Sequence, residues 1–172
     1  TKLQRLLFKS NMRKTFLQIE MEPTWAAISN IRETLGEILS SSSVSIRNSV
    51  QITATELLEN AMKYRSSKTK NENIKLEFNF NHETIDIKVS NNFERDDDFQ
   101  RLIATVHKIK HESNPKALYE ERLKEIYDND EDKQNRLGLF RIIHECGFDL
   151  NCLQDDSQIS VIANKRIKEK LD

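Results

Sequence analysis

The apolar positions of this chain change period several times, and each change marks an element. Residues 14–21 alternate closely enough to predict an opening strand, although Phe16 and Leu17 sit side by side. Pro23 closes that strand, and Thr24 is placed as the N-cap of a helix. Trp25, Ile28, Ile31, Leu35, Ile38 and Leu39 then recur at a spacing of three to four. The helix runs out at Ser40, Ser41, Ser42 and Ser43, whose hydroxyls compete for backbone hydrogen bonds. A second helix follows, with Val50, Ala54, Leu57, Leu58, Ala61 and Tyr64 on one apolar stripe.

Period two returns in residues 74–80 and 85–89. Asn81, His82 and Glu83 between them make the pair an antiparallel hairpin with one apolar and one polar face. The pattern breaks over residues 91–98. Phe99, Leu102, Ile103, Val106 and Ile109 mark a helix, and Ser113 or Asn114 as cap before Pro115 starts another through Leu118, Tyr119, Leu123, Ile126 and Tyr127. Residues 128–135 are charged and nearly free of apolar side chains, the composition of a lid or a solvated loop. A short helix over residues 137–146 ends at Gly147. Strands at 148–152 and 159–163 complete the chain. The order predicts an α+β two-layer sandwich, with helices packed on a mainly antiparallel sheet. One domain over residues 1–172 is expected, with its core at about residues 14–167.

Composition narrows the function classes. Of the 172 residues, 27 are basic and 28 acidic, so a net charge of −1 supplies no general attraction to nucleic acid or to an anionic membrane. A mean hydropathy of −0.69, with no apolar run near the roughly 20 residues of a span, points to no membrane partner. Cys146 and Cys152, without CxxC spacing or a secretory leader, fit core-facing thiols in a reducing cytoplasm. Asp96, Asp97 and Asp98 do not share one face and read as the charged start of a helix. His107 and His111 are four apart but lack the glutamate of a zinc-protease helix.

The chemistry concentrates on the second helix. At 100° per residue, Glu56, Asn60 and Lys63 fall within roughly 60° of one another and opposite the apolar stripe. A carboxylate, a neutral oxygen ligand and an ammonium in a row suit a divalent ion, a water and a phosphate chain. Arg65, two residues beyond Lys63, is a further cation in reach of the same face.

This order of elements, with Glu56-x-x-x-Asn60-Ala61-x-Lys63-Tyr64 on the second helix, resembles the ATP-binding fold shared by histidine kinases, gyrase-type ATPases and anti-sigma-factor serine kinases. Residues 16–64 look most like the opening of the anti-sigma kinases. The inserted helices over 99–127 and the segment Leu137-Gly138-Leu139-Phe140-Arg141-Ile142-Ile143 look like the SiaB family of bacterial protein kinases. The likeness covers residues 16–167.

The resemblance implies ATP with Mg²⁺, Glu56 as the general base or its positioner, Asn60 as the Mg²⁺ ligand, and Lys63 facing the phosphates. Asn91 stands where the wider family has the adenine-reading aspartate of Asp-x-Gly-x-Gly, here Asn91-Asn92-Phe93-Glu94-Arg95. Gly138 is the one glycine kept in the second glycine-rich segment, where Arg136 is placed to reach a phosphate. The implied activity is a serine/threonine protein kinase acting on a small partner of the anti-sigma-antagonist type, with a homodimer left open. The alternative is a catalytically inactive form of the fold that acts as a protein-binding regulatory module.

Overall fold

The computed structural model describes residues 3–11, 14–63, 73–92, 97–111, 114–128, 137–155 and 158–167. Strands β1 (Leu3–Asn11) and β2 (Lys14–Met21) lead into helices α1 (Trp25–Ile38) and α2 (Val44–Lys63). The hairpin β3 (Ile74–Asn81) and β4 (Thr84–Asn92) follows. Helices α3 (Asp97–His111), α4 (Pro115–Asp128) and α5 (Gly138–His144) then precede strands β5 (Asp149–Gln154) and β6 (Gln158–Arg166). The strands form one sheet in the order β1-β2-β3-β4-β6-β5, and every described pairing in it is antiparallel. The result is a mixed α+β fold, with helices packed against a multi-stranded antiparallel sheet.

Local chemistry sets the boundaries. The Thr24 hydroxyl accepts from the Ala27 amide at 3.2 Å and caps α1, while Ser43, last of the serine run, accepts from the Ile46 amide at 3.3 Å and caps α2. Asn114 does the same for α4, accepting from the Ala117 amide at 3.1 Å just before Pro115. In the β3–β4 turn, Asn81 Oδ1 accepts from the Glu83 and Thr84 amides, both at 2.8 Å, an Asx turn that fixes the hairpin register. Gly147 ends α5 with φ of 67°, a left-handed conformation that glycine adopts without a Cβ penalty.

One face of the sheet carries the core. Leu17, Ile19 and Met21 lie opposite Phe78, Leu76 and Ile74, and Ile87 and Val89 continue the layer. The helices seal this face with Ile31, Leu35, Val50, Leu57 and Leu58. On β3 and β4 the side chains of the other parity are polar: Lys75 and Lys88 both pair with Glu77, at 2.6 and 3.2 Å. α2 lies against β3 and β4, α1 against α2, α5 against α2, and α3 beside β5. Among the described residues no helix is long and apolar enough to cross a membrane.

Three features differ from the sequence expectation. β1 adds a sixth strand before residue 14, where Leu6-Leu7-Phe8 runs apolar without alternation. Asn91 and Asn92 do not break the pattern, because they stay in β4 and pair with Ile159 and Gln158. The short helix is Gly138–His144, narrower than residues 137–146.

Candidate functional site

The polar face of α2 is not uniform in depth. Lys63, at the end of the helix, is exposed, Glu56 is partly buried, and Asn60 is buried at 7% exposure. The difference follows from what each position meets. α2 packs on β4 and α5, so a residue on the flank of the apolar stripe is drawn under the neighbouring elements.

Glu56 meets α5. Arg141 Nη1 donates to Glu56 Oε1 at 2.8 Å, and Gly138 lies so close that a Cβ there would run into Glu56 Oε2. Arg141 also donates through Nε to Glu145 Oε2 at 3.3 Å, one turn further along. The Tyr119 hydroxyl of α4 donates to Glu145 Oε1 at 2.7 Å, and its ring stacks on His144 at 4.6 Å. A chain of charged and hydrogen-bonded groups therefore links α4, α5 and α2: Tyr119, Glu145, Arg141, Glu56.

The titration of these groups follows from burial and neighbours. Burial pushes the Glu56 carboxyl up; Arg141 pulls it back, and the outcome lies above the ordinary carboxylate value. Glu145 goes the other way, because the Tyr119 hydroxyl, and Arg141 after it, favour the anion. Burial works against the Arg141 charge, but the Glu145 hydrogen bond and the Glu56 charge hold its pKa above the usual range. Glu56 is thus a stronger proton acceptor than a free carboxylate, held on one oxygen by a guanidinium.

Asn60 presents a different signal. Its Nδ2 is buried and has no hydrogen-bond partner among the described residues. An orphaned buried donor costs roughly 1–3 kcal/mol, and the same helix carries a second orphan in the Thr53 hydroxyl. The carboxamide can turn over, so the orphaned position offers either a donor or the oxygen that Mg²⁺ prefers. Asn91 is also buried, at 6% exposure, but its Nδ2 already donates to the Asn92 carbonyl at 3.0 Å.

The structure therefore brings Glu56 and Gly138 together and leaves Asn60 unsatisfied on the same helix. The group seated against Gly138 is the Glu56 carboxylate. Arg136 and Arg65 lie outside the described residues, as does most of the charged segment expected as a lid. Reasoning from sequence missed Arg141, Glu145 and Tyr119 as partners of the site. The signal for the first two was present, since an arginine followed four residues later by a glutamate forms a helix pair.

Among the described residues no group of three or more His, Cys, Asp or Glu is placed to hold a metal ion. The neutral oxygen of Asn60 is the one candidate metal ligand singled out from the sequence, and a single such oxygen leaves most of a Mg²⁺ shell to other groups. The thiols are held in the protonated form: burial pushes Cys152 up to about 11 and raises Cys146 as well. Compared with known proteins, the chain matches no family model and no curated protein at a significant level.

Proposed function

We propose that this chain is a histidine-kinase-like ATPase fold of the SiaB and anti-sigma kinase type. It binds ATP with Mg²⁺ and transfers the γ-phosphoryl group to a serine or threonine of a small protein partner. The observation that carries the reading is the buried, unpartnered Nδ2 of Asn60, one helical turn from the partly buried Glu56 carboxyl of raised proton affinity. In that reaction the partner hydroxyl attacks the γ-phosphorus, its proton passes to Glu56, and ADP leaves. Asn60 and Lys63 hold the triphosphate, and Asn91 borders the base. Mg²⁺, when bound at Asn60, would offset phosphate charge.

A second reading has its own observation. Arg141 occupies Glu56, and the Glu56 carboxylate occupies the face of Gly138. Such an arrangement also suits a module that works by occupancy of a partner without phosphoryl transfer.

Calorimetric titration with ATP, with and without Mg²⁺, separates the two. Binding is expected to need Mg²⁺ and to weaken at least tenfold in Asn60→Ala. Because Nδ2 makes no internal bond and its burial is costly, the same variant is expected to leave folding stability unchanged or raise it. Absence of binding at millimolar nucleotide would rule out the kinase reading. Where binding is seen, Glu56→Gln should lose transfer to a partner while retaining nucleotide.

A further inference from the structure

The two edges of the sheet are finished differently. β5 has six residues and is flanked by α3. β1 has nine residues, and among the described residues nothing pairs with its outer edge. Proteins usually blunt an edge strand with lysines and other charges, prolines or bulges, and β1 carries Arg5, Lys9 and one register shift. Here the register shift falls between Leu3 and Arg5, so Leu6 to Asn11 continues as a regular ladder against Ile19 to Lys14. Along that ladder Leu6, Leu7 and Phe8 are 55%, 42% and 49% exposed, on both faces of the strand. Three large apolar side chains in a row on an open edge form a template for another strand.

Charge decides which strand fits. The first acid in the chain is Glu20; before it stand Lys2, Arg5, Lys9, Arg13 and Lys14. A symmetric antiparallel pair of two copies centred on Leu7 would set Arg5 opposite Lys9, like charge against like. Any other register of two copies offers no acid to face these cations. A strand that alternates apolar and acidic residues meets both properties. At the hairpin end, a concavity of about 320 Å³ lined by Lys9, Ser10, Lys14 and Phe16 gives room for one of its acidic side chains.

We propose that the β1 edge, Leu6 to Asn11, is a docking site for an extended segment of a partner protein that alternates apolar and acidic residues, added to the sheet as a seventh strand. The proposal goes beyond the kinase reading and does not rest on it, since β2 and β3 separate β1 from β4.

The test uses the full chain and two fluorescein-labelled eight-residue peptides, one alternating valine with glutamate and one alternating valine with lysine. Anisotropy should show the glutamate peptide binding at least tenfold more tightly than the lysine peptide. Lys9→Glu, an exposed change that leaves the core untouched, should cut that preference at least tenfold. Amide exchange should slow on β1 when the glutamate peptide is added. Equal binding of both peptides, no binding at millimolar peptide, or protection confined to other elements overturns the proposal. So does a dimer in sedimentation equilibrium whose β1 amides are already protected without peptide, because a second copy would then be the occupant.

Discussion

Gly138 and Glu56 are coupled through a single close approach, and that coupling can be measured. α5 begins at Gly138 with an ordinary negative φ, so alanine there would normally gain up to ~1 kcal/mol of helix propensity. In this protein the new Cβ meets Glu56 Oε2, the end of a side chain that Arg141 holds in place. Glu56 must then swing off its 2.8 Å bond, and a charge-assisted hydrogen bond is worth more than the propensity gained. We expect Gly138→Ala to lower stability by about 1 kcal/mol in the wild-type background and to be neutral or stabilising in Glu56→Ala. A urea-denaturation double-mutant cycle reads the difference. A zero coupling energy would mean that Glu56 moves aside without loss.

The helices extend the same logic, because α4 reaches the site through α5. Tyr119 bonds Glu145, Glu145 bonds Arg141, and Arg141 bonds Glu56. The signs of the two acids oppose. Glu145 has a lowered pKa, so its contribution to stability is present above the ordinary value of 4.5 and is lost as pH falls through its folded value. Glu56 has a raised pKa, so the fold gains stability as pH falls through the folded value toward 4.5. Tyr119→Phe removes the first pull on Glu145. The variant should be less stable than wild type near neutrality, by less than about 1 kcal/mol given the exposure of the pair, and the gap should close as pH falls below 4.5 and through the folded value of Glu145. Urea midpoints across that range check it, and a gap that widens on acidification would reverse the assignment.

Most of these elements were legible before the structure. Thr24, Asn114 and Gly147 are local signals, readable because a cap needs only its own turn. The lateral partners of Glu56 were not legible: Arg141 stands 85 residues away, and only the packing of α5 on α2 brings it near. The burial of Asn60 was hidden for the same reason, since helical periodicity gives the direction of a side chain and not what covers it. β1 escaped because three consecutive apolar residues have no period, and the strand is defined by its pairing with β2.

At the scale of the whole molecule, the sheet runs from a sealed centre to an open edge, and stability should follow that gradient. Phe78 on β3 is fully buried, between Leu17 on β2 and Ile87 on β4. Phe8 on β1 also faces Leu17, across the strand pair, yet remains 49% exposed. The same residue type thus sits on either side of one leucine, once with helices above it and once without. Truncating Phe78 to alanine removes the ring's burial and leaves a cavity, about 3–5 kcal/mol by precedent for core phenylalanines. Domains are stable by only about 5–15 kcal/mol, so that change should lower the urea midpoint severely. Phe8→Ala removes a ring that water already reaches, and it should cost less than about 1 kcal/mol. A comparable loss at both positions would mean that β1 is held by the core as firmly as β3 and that its edge is not a separable surface. A large loss at Phe78 alone would place the stability of the fold in the strands beneath the helices, leaving β1 free to be shaped by what it binds.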